Sequence, residues 1–441
     1  MTDHNPENDE TASYDVVVIG SGPAGLSAAL AAAESGVSVL LCERLRTFGL
    51  KLLASGGGKC NVSNILDKTA FLNAFGREGR FLKPALDFAY HDWLFPFLKQ
   101  WNVPLKLENQ FHYFPVSERA GDILNAFLNA FQNAGGTRKK ETEVTDIIVN
   151  DGKISGVTLN DGKMTECRSV ILASGGTAWP KLGGTESGLN LAAKLGHSIA
   201  PIYPAMAPLL IRDQWVRNLT GISLPDSELS FRRGHTRFHN RGELLFTHEG
   251  FSGPCAIDLA ASLAESCDRN GGEITLFFRA DASRDAAFWR RELDLLRTRD
   301  GKKLVRTLLA GWFPHALSDA FCRLAGCYDR KISELTAPLR ERLCTLLSET
   351  PLTAIGAGPM EKAMAMKGGV KLREINPKTL ESRLVKGLFF AGEIMDLVGP
   401  CGGYNIQWAL SSGRLAGSSA GAAVSVGDDQ TTAPRNEFTG K

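Results

Sequence analysis

The sequence predicts an α/β protein organised around a doubly wound parallel sheet, and three neighbouring segments carry that prediction. Y-D-V-V-V-I-G (14–20) is a continuously apolar, β-branched run, the pattern of a parallel strand buried on both faces. G-S-G-P-A-G (20–25) leads from it into L-S-A-A-L-A-A-A-E-S-G (26–36), an Ala-rich helix stopped by Gly36. V-S-V-L-L-C-E (37–43) is the next strand, so the chain opens with a βαβ unit.

A six-residue glycine pattern alone is weak, but this one has a buried strand before it, a helix after it and an acid ending the next strand. Gly20 permits the tight turn, Gly22 lets a pyrophosphate approach the backbone, and Gly25 allows close packing of helix on strand. Phosphates then meet free N–H groups and the positive end of the helix dipole. Glu43 is placed to accept hydrogen bonds from a ribose diol and would repel a 2′-phosphate.

Further along, 66–135 reads mostly as helices, interrupted at F-H-Y-F-P-V-S (111–117). From 141 to 173 short strands alternate with N-D-G-K turns at 150–153 and 160–163. They predict a three-stranded β-meander over 141–168, returning to the main sheet through S-V-I-L-A (169–173). T-E-S-G-L-N-L-A-A-K-L-G (185–196) is a helix. Residues 201–282 read as a β-barrel-like domain completed by about 350–368, and 283–349 as a helical insert. The segment 14–200 and a second segment, 369–424, form the nucleotide domain, with L-F-F-A-G-E (388–393) as a strand and 404–417 as a helix. Polar tails at 1–13 and 425–441 are expected to be disordered.

Composition excludes little but narrows the setting. Hydrophobic residues make up 43% and charged residues 22%, as in ordinary globular proteins, and a net charge of +2 gives no general argument for nucleic acid. The acidic N-terminus lacks signal-peptide character, and no apolar run reaches membrane-span length. Nine scattered cysteines without a C-x-x-C pair suit reduced thiols, so a cytoplasmic protein without a membrane partner is expected. The basic run F-R-R-G-H-T-R-F-H-N-R (231–241) reads as a solvated strand face in preference to a nucleic-acid patch.

G-L-K-L-L-A-S-G-G-G-K-C-N-V-S-N (49–64) follows the second strand at the carboxyl edge of the sheet, where such folds bind ligands. Its glycines free the main chain to lie against an extended ligand, and Lys51 and Lys59 offer positive charge to a pyrophosphate or a reduced ring. A flavin dinucleotide needs such a cradle more than NAD does.

Several segments resemble one family. They are G-L-K-L-L-A-S-G-G-G-K-C-N-V-S-N, V-I-L-A-S-G-G-T-A-W-P-K-L-G-G-T-E-S-G, F-T-H-E-G-F-S-G-P, the stretch from G-G-V-K-L-R to L-F-F-A-G-E, and G-G-Y-N-I-Q-W-A-L-S-S-G. In this order they are similar to the bacterial NAD(P)/FAD-dependent oxidoreductase family of flavoproteins, which includes aminoacetone oxidases and BaiN-type enzymes. The resemblance implies a glutathione-reductase-like Rossmann FAD-binding domain interrupted by a β-barrel-like domain and a helical domain, holding non-covalent FAD. By motif, Gly20, Gly22, Pro23, Ala24 and Gly25 hold the pyrophosphate and Glu43 the ribose. Lys51, Ser55, Gly57, Gly58, Lys59, Cys60 and Asn61 line the flavin loop. Val144 meets the adenine, and Ala173 and Gly175 flank the pocket. Gly392 and Glu393 match the element that binds the ribityl chain. Gly403, Tyr404, Asn405 and Ile406 begin a helix whose positive end faces the flavin.

Flavin would supply the redox chemistry. G-A-G-P-M-E (356–361) lacks the third glycine and no β-branched strand leads into it, so it reads as a loop, and NAD(P)H is expected only as a transient co-substrate. His248, in T-H-E-G-F-S-G-P, is the leading acid/base candidate, with His112 and Tyr113 weaker ones. Cys60 and Cys401 read as small loop residues sooner than as a redox pair, and no residue spacing suggests a metal site. The expected function is hydride transfer between flavin and a small organic substrate. The alternatives are an oxygen-reducing amine oxidase and a flavin-bearing scaffold that contacts RNA or protein.

Overall fold

In the computed structural model, which describes residues 13–429, the first apolar run is the central strand of the main sheet. β1 (Ser13–Ile19) is flanked in parallel by β2 (Val39–Cys42) and the long β9 (Met164–Leu172), and Val16, Val17 and Val18 are fully buried. A strand covered on both faces has no polar side, so the unbroken Val-Ile run forms here and nowhere nearer the surface. Beyond β2 lies β6 (Thr137–Lys139). Its T-R-K sequence is half-exposed or exposed and carries no apolar signal, which is why the sequence does not reveal it.

The hairpin strands β7 (Val144–Asn150) and β8 (Lys153–Leu159) precede β9, whose first residues pair antiparallel with β8. Its last three, Val170–Leu172, run parallel to β18 (Leu388–Phe390). One strand therefore joins the meander, the first βαβ unit and the returning chain. A separate small sheet, in the order β3 (Ser63–Asn64), β5 (His112–Pro115), β4 (Leu105–Glu108), lies among the helices of 68–133. Only β5 falls in the interruption read from the sequence.

The C-terminal helix, Tyr404–Asp429, runs on past the expected stop at 417 and into the stretch read as a tail. The rest of that tail, and the expected N-terminal tail apart from Ser13, lie outside the described residues. This helix packs along the first helix, Pro23–Glu34, through glycines at every fourth position. A Cβ at Gly413 would lie 2.1 Å from the Ala24 carbonyl oxygen, and one at Gly417 2.1 Å from that of Ala28. Residues four apart share one helix face, so the bare backbone there meets the Ala-rich face of the first helix. Ser27 adds a hydrogen bond to the Leu410 carbonyl at 2.7 Å.

The chain divides into two compact units, one containing residues up to Ile202 and from Lys367 on, the other Tyr203–Met366. A two-stranded pair, β10 (Ile199–Ala205) and β17 (Ala365–Val370), lies where the chain crosses between them. The second unit is built on a closed six-stranded barrel. Its strands are β11 (Leu209–Ile211), β12 (Ser223–Arg233), β13 (Thr236–Phe246), β14 (Gly250–Ser252), β15 (Ile274–Arg279) and β16 (Thr350–Ala357). Phe231, Phe246, Phe251 and Phe278 are fully buried, and the rings of Phe246 and Phe251 meet edge to face at 5.0 Å. Helices Pro254–Ile257 and Ala260–Arg269 interrupt the barrel strands where only β structure was expected. Four helices, from Ala286–Asp300 to Ala337–Ser348, lie between β15 and β16 around Trp289, Phe313 and Phe321.

Substitution Gly417→Ala drives a methyl group into the Ala28 carbonyl and should cost about 1–3 kcal/mol of stability. Urea unfolding will show a lower midpoint; an unchanged midpoint would contradict the close packing.

Candidate functional site

The turn after β1 divides its glycines by task. Gly20 has φ +98°, and a Cβ there would lie 2.7 Å from the Ala173 carbonyl oxygen. A Cβ on Gly25 would lie 1.8 Å from the Gly20 carbonyl oxygen, so these two glycines let the first helix and the ends of β1 and β9 close on one another. Gly22 differs. It is the N-cap residue at an ordinary φ of −66°, with no protein atom within 4 Å of its would-be Cβ. Pro23 and Ala24 begin the helix, and no side chain caps it. Open space against uncapped N–H groups is what a pyrophosphate requires.

Glu43 is held in place before any ligand arrives. Ser21 donates both its N–H (3.1 Å) and its hydroxyl to Oε2, while the Leu45 N–H donates to Oε1 at 2.9 Å. The same hydroxyl accepts from the Gly49 N–H at 3.0 Å. Fully buried Ser21 thus ties the turn, the acid and the start of the glycine-rich loop together. Sequence reasoning missed it, although it stands inside the fingerprint. A carboxylate has about four acceptor sites, so capacity for a ribose hydroxyl remains. Val144 begins β7 nearby, two residues after Thr142, whose N–H donates to the Glu43 carbonyl at 2.9 Å.

The glycine-rich loop forms a short helix, Leu50–Ala54, then a tight turn through Ser55–Gly58. Gly56, Gly57 and Gly58 have φ of +57°, +67° and +91°, a left-handed succession that side chains resist. A Cβ at Gly57 would meet nothing within 4 Å. Lys51 Nζ pairs with Glu393 Oε2 at 2.8 Å, joining segments from opposite ends of the sequence. A Cβ on Gly175 would lie 3.6 Å from that carboxylate, and one on Gly392 2.7 Å from the Ala24 methyl. Lys51, Gly175, Gly392, Glu393 and the fingerprint helix therefore converge. The Ser174 hydroxyl beside them is buried without a hydrogen-bond partner among the described residues.

Lys59 departs from expectation. Its Nζ lies 2.7 Å from Glu118 and 4.0 Å from Glu108, and Lys106 binds the same two acids. The Lys106 and Lys59 ammonium groups pull the Glu118 carboxyl down to about 2. The charge of Lys59 is thus already met by protein carboxylates, and it is Lys51 that reaches the converging group. Cys60 is fully buried, and burial pushes its thiol up to about 12, leaving it protonated at neutral pH. Eight of the nine cysteines are buried, and Cys401 is exposed.

The loop before the C-terminal helix docks onto the glycine-rich segment. The Asn61 amide, oriented by its hydrogen-bond network, donates to the Ser63 carbonyl at 2.9 Å. Its oxygen accepts from the Gly403 N–H at 3.2 Å and from His112 Nδ1 at 3.0 Å. Asn64 donates to the Gly402 carbonyl at 2.9 Å, and Asn405 accepts from the Gly399 N–H at 2.8 Å. Gly403 is required, since a Cβ there would lie 2.6 Å from the Ser63 carbonyl carbon. Tyr404 is buried against Phe71 at 5.1 Å, while Ile406 is half-buried in the first turn of the helix. Ser63 Oγ also meets His91 Nε2 at 2.8 Å, and burial pushes His91 down to about 4. His248 belongs to the second unit, on the turn before β14; its side chain is 76% exposed and 4.0 Å from Glu249, which Lys362 binds. No group of side chains suited to a metal occurs among the described residues.

The Rossmann sheet, the phosphate turn and the second glycine loop define an FAD-dependent oxidoreductase. The chain belongs to the HI0933-like family: residues 14–419 match the HI0933-like protein Rossmann domain. It is 29% identical to the ribosomal RNA dihydrouridine synthase of Haemophilus influenzae over 400 residues, covering 90% of this chain and 96% of the relative. It is likewise 29% identical to the 3-dehydro-bile acid delta(4,6)-reductase of Clostridium scindens, covering 91% of this chain and 98% of that one. Among solved structures, the 3-ketosteroid delta1-dehydrogenase from Sterolibacterium denitrificans shares the fold, with a TM-score of 0.52 at 14% identity over 94% of this chain and 100% of that one.

The two glycine tasks are separable. Gly22→Ala should leave unfolding free energy within about 0.5 kcal/mol of the parent yet weaken FAD at least about tenfold, because its methyl enters ligand space. Gly25→Ala should instead destabilise the fold. Urea unfolding and fluorescence titration with FAD check both, and a stable, fully FAD-binding Gly25→Ala protein would refute the division.

Proposed function

We propose that this enzyme saturates a carbon–carbon double bond conjugated to a carbonyl group, with NADH or NADPH as electron donor. The observation that carries the proposal is the shared chemistry of two differently named relatives that each cover nine-tenths of the chain. Dihydrouridine is uridine with the ring double bond next to its carbonyl reduced, and a delta(4,6)-reductase acts on double bonds in line with a 3-oxo group. Both products result from adding a hydride and a proton across a polarised alkene.

Bound FAD would supply the hydride-transfer chemistry. The chain supplies the rest. Gly22 and the uncapped start of the first helix would bind the pyrophosphate, and Glu43, pre-set by Ser21, the adenosine ribose. Lys51 and Glu393 would orient the ribityl chain, and their 2.8 Å ion pair neutralises both charges. The start of the Tyr404–Asp429 helix would favour negative charge on the flavin ring. A strand, β16, does run into residues 356–361, but it ends in a single 3₁₀ turn, Met360–Lys362, and opens no α-helix, which supports a nucleotide that docks transiently. Nine scattered cysteines, eight of them buried, support a reducing, cytoplasmic setting. No helix among the described residues is long and apolar enough to cross a membrane.

The alkene belongs to a small enone or to a uracil ring in RNA. One observation weighs against the second. On the β12–β13 hairpin Arg233, Arg237 and Arg241 are neutralised by Glu265, Glu228 and Asp226, leaving Arg232, His235 and His239 exposed without an acidic partner among the described residues.

Anaerobic stopped-flow absorbance tests the proposal. NADH or NADPH should bleach the flavin, and a 4-en-3-one steroid or a uridine-containing ribosomal RNA fragment should then restore its colour. Bleaching by neither nucleotide, or recovery only with oxygen, would overturn it.

A further inference from the structure

His112 occupies a place that the reading above leaves unused. In the small sheet Asn64, His112 and Glu108 are paired across the three strands and so share one face. Lys106 and Phe114 lie on that face too, whereas Ser63, Tyr113 and Leu107 lie on the other, with His91 and Phe95. The His112 face is the one that backs the glycine-rich loop. A Cβ on Gly56 would sit 3.1 Å from the Phe114 ring, Lys59 reaches Glu108, and Asn61 bonds His112. From the other side, a Cβ on Gly402 would lie 3.4 Å from His112 Cε1. The imidazole therefore stands between the two loops that cradle the flavin.

Its tautomer follows from Asn61. Accepting from the Gly403 N–H and donating to the Ser63 carbonyl fixes the amide, so its oxygen faces His112 and requires a proton on Nδ1. The neutral ring then carries its lone pair on Nε2, which has no hydrogen-bond partner among the described residues. Burial lowers the proton affinity of the ring, partly offset by Glu108. The other groups around this face are Lys59, Lys106 and Glu118 of the ion-pair cluster, and Tyr404 from the C-terminal helix. His91, across the sheet, is pushed down to about 4 by burial.

We propose that His112 is the proton donor of the reduction, acting through Nε2; this rests on the alkene-reductase reading. The Nε2–H bond of the imidazolium breaks and a C–H bond forms at the carbon next to the carbonyl. The alkene π bond is lost as hydride, supplied by the reduced cofactor, adds to the other carbon. His112 is left neutral, with its remaining proton on Nδ1 toward Asn61, and solvent restores the other.

The test uses the FAD-loaded full chain. In anaerobic single turnovers, reoxidation of the NAD(P)H-reduced enzyme by the unsaturated substrate should be about 10²–10⁴ slower in His112→Gln. Flavin reduction by the nucleotide should stay within about twofold of the parent. The parent's reoxidation rate should rise as pH falls through a value below 6.5, and that rise should vanish in the variant. Independently, ¹⁵N NMR of the imidazole should show the Nδ1–H tautomer in the parent and its loss of preference in Asn61→Leu. A retained pH rise in His112→Gln, or its disappearance in His248→Gln instead, would overturn the proposal. If no unsaturated carbonyl compound is reduced at all, the functional reading fails, and an Nε2–H tautomer would still refute the role of His112 separately.

Discussion

The site depends on the approach of two helix backbones that stand almost four hundred residues apart. Gly413 and Gly417 present no side chain to Ala24 and Ala28, and the C-terminal helix lies directly on the first. That contact sets the position of everything just before it in the chain. Gly392 comes to rest against the Ala24 methyl, and its N–H donates to Ser412 at 3.0 Å. Glu393 is thereby carried to Lys51. Without this packing the fingerprint turn would face one end of the chain only, and half the cradle would be missing.

The polar contacts then lock the loops that the helices bring together. Ser21 holds Glu43 and the Gly49 amide, and Asn61 holds Gly403 and His112. Each bond joins segments remote in sequence, and each involves a half-buried or buried group whose loss would leave a partner unsatisfied. These bonds hold the loops in one arrangement, and such order lowers the cost of binding an extended dinucleotide. The left-handed glycines at 56–58 belong to the same design: Gly56 lets the loop close on Asn61 and Phe114, while Gly57 turns bare main chain toward open space.

Much of this was legible in the sequence, for identifiable reasons. The β1–turn–helix–β2 unit was readable because burial on both faces removes polar residues from the strands, and because only glycine satisfies the contacts at positions 20 and 25. The family motifs named Lys51 and Glu393 but not their mutual ion pair, which is a fact of folding and leaves no local pattern. The ion pairs of Lys59 were hidden for the same reason, since Glu108 and Glu118 reach it only once the small sheet forms. β6 went unseen because it is short, polar and at the sheet edge. The glycines at 413, 417 and 421 were not singled out in the sequence, because nothing local says which helix they face. His112 looked secondary in a polar-aromatic run, and only the alternation of β5 shows which way it points.

Amide hydrogen exchange with and without FAD tests the central claim most directly. If both ends of the chain build one cradle, a single titration with FAD will slow exchange at 20–26, 49–61 and 392–406 together. Protection confined to the two N-terminal segments, with 392–406 exchanging as before, would contradict the account.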